Sequence, residues 1–219
     1  MIIAERKPME EIEQSLASYK NVLVAGCGTC VTVCWAGGEK EVGILASQLR
    51  LGRGAGGSEI VTLEATVERQ CEKEMVAEIS DKVAEVDAVL SLACGSGVQT
   101  MAEMFEDKPV LPAVNTTFIG MPEKEGLWVE MCGACGDCFL DRTGGVCPMV
   151  RCAKGLLNGP CGGTRKGGLC EIDAEKDCAW VLVYRRLDKQ GRLDLMRQYL
   201  VPKNYRAVKR PGRIQAAKA

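Results

Sequence analysis

Apolar and polar positions follow two rhythms along the first half of the chain. Behind Pro8, the residues Met9, Ile12, Leu16 and Tyr19 recur at helical spacing, which predicts a short helix over 8–19. Val22-Leu23-Val24-Ala25 is then a continuous apolar run ending in Gly26 and Cys27, the pattern of a strand buried on both faces. Val42, Leu45, Ala46 and Leu49 share one helical face, and Gly52, Gly54, Gly56 and Gly57 are expected to break that helix. Ile60 to Leu63 reads as a second strand. Met75, Ile79, Val83 and Val86 form the apolar stripe of a helix, and Ala88 to Ala93 is a third strand ending at Cys94. A helix on Val98, Met101, Ala102 and Phe105 follows. Val110 to Val114 is a fourth strand, which Pro112 demotes towards an edge.

This alternation predicts an α/β fold, a small parallel Rossmann-like sheet domain over 1–120. Beyond it the periodicity fades. Residues 121–178 are rich in Gly and Cys and are expected to form an irregular Cys-rich iron–sulfur domain, organised by bound metal rather than by an apolar core. Residues 179–219 are expected to form C-terminal helices, on Val181, Tyr184 and Leu187 and then Leu193, Met196 and Leu200, followed by a basic tail. The last 19 residues hold six Lys or Arg and no acid, which suits a solvated tail or docking onto an acidic partner.

Composition narrows the chemistry. A formal net charge of −1 over 219 residues gives no global field for nucleic acid or membrane. No run approaches the ~20 apolar residues of a membrane span. The N-terminus, Met1 to Lys7, lacks the order of a secretory signal, so a cytoplasmic location is expected, where thiols stay reduced. The chain has thirteen cysteines and no histidine. That excludes Ser-His-Asp and Cys-His catalysis and mixed Cys/His zinc sites. It leaves all-thiolate ligation, the chemistry of iron–sulfur clusters and four-cysteine zinc sites.

The cysteines fall into two sets. Cys27, Cys30 and Cys34 form C-x2-C-x3-C after the first strand, and Cys94 follows the third. First and third strands are often neighbours in open parallel sheets, so these four could meet at the strand ends; Cys71 is the alternative fourth ligand to Cys94. A dinucleotide loop at Gly26-Cys27-Gly28-Thr29-Cys30-Val31 lacks the third glycine, and Glu64 lies beyond the usual interval for the acidic partner. In the second set Cys132, Cys135 and Cys138 form C-x2-C-x2-C, with Cys147-Pro148 after them. Cys152, Cys161, Cys170 and Cys178 complete eight thiols, enough for two [4Fe–4S] clusters, or for one cluster and one four-cysteine zinc. Arg142, Arg151, Lys154, Arg165 and Lys166 are cations that could offset cluster charge, or simply solvated loop residues.

Three runs carry a resemblance: Cys132 to Cys138, Thr143-Gly144-Gly145-Val146-Cys147-Pro148, and Lys154 to Gly163 with its Leu157-Asn158-Gly159-Pro160-Cys161. With Tyr184-Arg185-Arg186-Leu187 and Gly191-Arg192-Leu193-Asp194, the chain resembles the C-terminal-domain family of methylenetetrahydrofolate reductases, the small Cys-rich subunit that accompanies a flavin-containing reductase. The resemblance implies an iron–sulfur subunit with about two to three [4Fe–4S] clusters. Such a subunit relays electrons to FMN on the partner reductase, which converts methylene- to methyltetrahydrofolate. Ferredoxin or another electron-donating module is left open as the donor. The folate chemistry is expected on the partner, and no catalytic residue is assigned to this chain.

Overall fold

The structure, a computed structural model, describes residues 1–55, 59–208, 212 and 214. Its elements in the first half are β1 (Ile2–Arg6), α1 (Met9–Ser15), β2 (Asn21–Cys27), α2 (Cys30–Val33), α3 (Glu39–Ala55), β3 (Val61–Val67), α4 (Lys73–Ala77), α5 (Ser80–Ala84), β4 (Ala88–Ser91), α6 (Gly95–Met104), β5 (Val110–Pro112), β6 (Val114–Lys124) and β7 (Leu127–Cys132). The later helices are α7 (Pro148–Arg151) and α8 (Ala179–Lys189), with 3-10 turns at Leu140–Arg142, Leu193–Arg197 and Tyr205–Ala207. The chain divides into two compact units, Met1–Trp128 and a second beginning at Val129.

In the first unit four strands form a parallel sheet in the order β3-β2-β4-β5. The first and third predicted strands, β2 and β4, are therefore neighbours. The sheet reverses direction of growth between them, which makes their carboxyl ends the switch point of an open α/β sheet. The run Val22 to Cys27 is buried throughout because both faces are covered. Val22 and Val24 face a core with Val42, Leu45 and Leu49 of α3, while Leu23 and Ala25 face one with Val76, Ile79, Val83 and Met101. Gly37 is required by close approach: a Cβ there would lie 1.9 Å from the Leu92 carbonyl oxygen.

The structure departs from the sequence pattern in several places. A second, antiparallel sheet, β1-β6-β7, was not expected. Its β1 pairs with β6 through Ile2↔Ile119 to Arg6↔Val114, with a bulge between Ile3 and Ala4. The expected fourth strand is split, since Val110–Pro112 closes the parallel sheet and Val114 opens β6. The α3 helix runs through Gly52 and Gly54 to Ala55; Gly56 and Gly57 lie outside the described residues. The stripe Met75–Val86 is buried as expected but belongs to two short helices, α4 and α5. In α8 the buried face is Ala179, Trp180, Val183 and Leu187, and Tyr184 is half exposed.

The second unit has a small core of Val146, Cys178, Trp180, Val183 and Leu187. Its loops are held by side chains of the C-terminal segment. Arg186 donates to the Gly144 and Gly145 carbonyls at 3.4 and 3.3 Å, and Arg192 to the Asp141 carbonyl at 3.0 Å. Trp180 Nε1 donates to Leu156 O at 2.9 Å. Asn158 pairs reciprocally with the Leu200 backbone, at 2.9 and 2.7 Å. The residues behind the family resemblance thus hold cysteine-bearing loops to one another.

Candidate metal centres

One side chain gathers the carboxyl ends of β2, β3 and β4. Gln70, in the loop after β3, is fully buried. Its Nε2 donates to the Ala25 and Gly26 carbonyls at 2.9 Å each, and its Oε1 accepts from Ser91 Oγ at 2.6 Å. Ser91 Oγ accepts from the Ala93 N–H at 3.2 Å. A Cβ at Gly97 would lie 2.8 Å from Gln70 Cβ, so the start of α6 closes directly over this side chain. The segment carrying Cys71 is thereby strapped to the segments carrying Cys27 and Cys94.

Cys27 ends β2, and its thiol lies 3.6 Å from Thr29 Oγ1 and donates to Glu68 O at 3.7 Å. Cys94 immediately precedes α6 and is half-buried. Cys71 is exposed. Partial desolvation first, and then the nearby charges of Cys27 and Cys94, push its thiol pKa up, which places the three within electrostatic reach. Cys30 opens α2 and is half-buried.

Cys34 lies one turn beyond Cys30, whose charge reaches it, but its thiol is turned into the core. It is buried just past the end of α2, and its thiol donates to Ala4 O at 3.5 Å and Val31 O at 3.6 Å. Burial pushes that thiol up. Cys34 also lines a cleft of about 470 Å³ with Trp35 and Trp128, a feature without a sequence motif. The two indoles meet edge-to-face at 5.2 Å and 88°, and Trp35 holds a φ of 56°. Glu64, the candidate ribose-binding acid, pairs with Arg50 at 3.1 Å on the surface instead.

In the second unit Cys132 ends β7 and accepts from the Ala134 N–H at 3.4 Å. Ala134 and Gly136 have φ values of 49° and 75°, so the chain winds tightly between the three closely spaced cysteines. Hydrogen bonding to the Asp137 backbone, and then Lys203, hold the Cys135 thiol below the ordinary range. The Lys203 side chain is only 4% exposed. Its ammonium lies 3.6 Å from Asp137 and 4.5 Å from the centre of the Phe139 ring, and among the described residues it has no hydrogen-bond partner. Lys203 is thus part of the cysteine region rather than of a free basic tail. Lys209, Arg210, Arg213 and Lys218 lie outside the described residues.

A second grouping surrounds Glu171. Its carboxylate pairs with Lys154 and accepts from the Cys161 thiol at 3.2 Å. The charges of Cys161 and Cys170, after the Glu171 hydrogen bond, raise the Lys154 pKa. Leu169 bridges both Arg165 and Asp177, which sets the backbones just before Cys170 and Cys178 side by side. Burial opposes the Cys178 thiolate, but the Thr164 hydroxyl at 3.5 Å and the Val181 and Trp180 amides outweigh it, so its pKa falls. Cys152 packs beside the Cys178 core, and Cys147 precedes Pro148 at the start of α7. Of the expected cations, Lys154 stands by thiols, Arg165 donates to Glu171 O at 2.8 Å and Arg151 reaches Met131 Sδ at 3.6 Å.

All thirteen cysteines are free of disulfides. Among the described residues no three Cys, Asp or Glu side chains are drawn together tightly enough to hold one metal ion. The residues nonetheless fit a thiolate-ligated centre on two observations. The donors are sulfur alone, and a buried ammonium without a hydrogen-bond partner stands beside Cys135, where an anionic centre would satisfy it.

The fold defines the class: a mixed α/β protein with thirteen unpaired thiols spread over two compact units. In the second half, residues 111–206 match the family described as methylene-tetrahydrofolate reductase C terminal. No curated protein and no solved structure matches the chain. Among the described residues no helix is long and apolar enough to cross a membrane.

Proposed function

We propose that this chain is the iron–sulfur electron-transfer subunit of a methylenetetrahydrofolate reductase. It passes electrons to FMN on a partner reductase subunit that reduces methylene- to methyltetrahydrofolate. The carrying observation is that eight of the thirteen cysteines lie within the matched segment 111–206, in a chain with no histidine. Cys132, Cys135, Cys138, Cys147, Cys152, Cys161, Cys170 and Cys178 are the proposed ligands of two centres in the second unit. A further centre is proposed at the ends of β2 and β4, with Cys27, Cys30 and Cys94. When bound, [4Fe–4S] clusters supply one-electron steps, which a flavin collects in pairs. The chain's own part is to bind them, to offset their charge with Lys203 and Lys154, and to tune them by hydrogen bonds such as the one from the Ala134 amide. Ferredoxin or a comparable one-electron carrier is the proposed donor.

The test is anaerobic purification, metal analysis and a visible spectrum before and after dithionite. About eight to twelve iron per chain and a broad band near ~400 nm that bleaches are expected. Zinc without iron, in a colourless protein that leaves the partner fully active, would establish the second reading, a zinc-stapled structural subunit. The side-by-side backbones just before Cys170 and Cys178 favour that reading for part of the second unit.

A further inference from the structure

The first site has an unsettled ligand, and the geometry bears on it. Three adjacent parallel strands deliver their carboxyl ends to one place. Cys27 is the last residue of β2, Cys94 lies just past β4, and the loop after β3 runs over both. That loop is fixed by Gln70, whose buried amide bonds to the Ala25 and Gly26 carbonyls and to Ser91. Cys71 follows directly. One residue before Gln70's neighbour Arg69, the Glu68 carbonyl accepts from the Cys27 thiol at 3.7 Å, so the loop touches the first cysteine as well.

Cys30 and Cys34 are the first residue and the C-cap of the single-turn helix α2, so what separates them is the direction of the thiols rather than distance along the chain. Cys30 begins it, three residues from Cys27. Cys34 follows its last residue and turns to the carbonyl of Ala4 in β1, a strand of the other sheet. Its thiol is buried in the apolar core, whereas Cys71 is exposed.

Resting on the reading that these thiolates hold metal, we infer that Cys27, Cys30, Cys71 and Cys94 form the first site, and that Cys34 is a core residue rather than a ligand. Four thiolates at the ends of three strands suit a soft centre that takes four sulfur corners, a [4Fe–4S] cluster or tetrahedral zinc. The dense C-x2-C-x3-C spacing is thus misleading: the chain's first, second, fourth and fifth cysteines are used, and the third is not.

The experiment uses the full chain purified anaerobically, with iron, acid-labile sulfide and zinc counted per chain. Cys71→Ala is expected to lower iron and sulfide by about four each, and Cys34→Ala to leave both at the wild-type level. Native alkylation with iodoacetamide and mass spectrometry gives a readout that needs no variant. Cys71 should be protected in the purified protein and modified rapidly once the metal is stripped. If Cys34→Ala loses the four irons while Cys71→Ala keeps them, or Cys71 is modified at full metal content, the inference is overturned and the electron-transfer reading stands. Loss of one zinc in Cys71→Ala supports the site and removes it from the electron path. A wild-type chain with neither metal overturns both.

Discussion

Replacing Gln70 by Leu tests the strap that assembles the first site. Leu has similar bulk and no polar atoms. The change removes two donations of 2.9 Å to the Ala25 and Gly26 carbonyls and one acceptor, 2.6 Å from Ser91 Oγ. Not all these partners are orphaned. The Ala25 carbonyl keeps the Leu92 amide at 2.8 Å, and Ser91 Oγ still accepts from Ala93 N–H at 3.2 Å. The Gly26 carbonyl loses its side-chain donor and the Ser91 hydroxyl hydrogen loses its acceptor, both in a fully buried setting. At about 1–3 kcal/mol for each buried group left unpaired, less a small gain from the apolar side chain, the expected loss is about 2–4 kcal/mol. Urea unfolding followed by far-UV circular dichroism measures it, with the midpoint falling and the slope unchanged. Ser91→Ala in the same background removes one orphan, so the double variant should be less destabilised than the sum by about 1 kcal/mol. A Gln70→Leu cost under about 0.5 kcal/mol, or strict additivity with Ser91→Ala, would refute the strap.

Three further outcomes are expected. Lys203→Met removes a buried cation beside Cys135, so the midpoint potential of the centre bound there should fall, on the order of 50–100 mV in an electrochemical titration; an unchanged potential would separate Lys203 from the centre. Asp87 accepts from the Asn21 and Lys20 amides at 2.8 and 3.1 Å, and these bonds, Asn21 first, hold its carboxyl below the ordinary range. Because its folded pKa is depressed, its contribution is present above the unfolded carboxylate pKa and lost as pH falls through the folded one. Asp87→Ala should therefore lower the melting temperature at pH 7, and the difference from wild type should close under strong acid. Removing residues 209–219, with Lys209, Arg210, Arg213 and Lys218, should weaken binding to the flavin subunit in low salt and less so in high salt. Equal affinity for both lengths at low salt would exclude a docking role for that segment.

The parallel sheet was legible because its strands are buried on both faces. Val22 to Ala25 and Ala88 to Leu90 are unbroken apolar runs, which helices on both sides demand. The antiparallel sheet was not legible, since its strands are half-solvated and β6, the central one, interrupts its apolar residues with exposed polar ones. The pattern of β6 contains Asn115, Thr116 and Thr117, all exposed, and β1 offers only Ile3 and Ala4 to the core. Gly52 and Gly54 misled for a related reason. Each removes about 1 kcal/mol of helix preference, which the packing of Leu45 and Leu49 in the middle of α3 overrides. The α8 stripe came out differently: Trp180 and Val183, rather than Val181 and Tyr184, join Leu187 on the buried face.

For the sites, spacing along the chain was a weaker guide than topology. Cys27 and Cys94 could be paired from sequence because first and third strands adjoin at a switch point, and β2 and β4 do pair, Val22↔Ala88 to Ala25↔Ser91. The direction of Cys34 could not be read from C-x2-C-x3-C. It depends on β1, a strand contributed by residues 2–6 that the apolar pattern did not reveal, whose Ala4 carbonyl receives the thiol. Nor could Lys203 be distinguished from the basic residues that follow it, since charge in a sequence carries no burial. Only the fold sets its ammonium against Phe139, Asp137 and Cys135. A buried, incompletely paired cation costs several kcal/mol unless something anionic meets it. Asp137 alone, 3.6 Å away and 61% exposed, meets that need only in part. The remainder is what the proposed thiolate centre at Cys135 would supply, so this lysine supports that proposal beside the cysteine count.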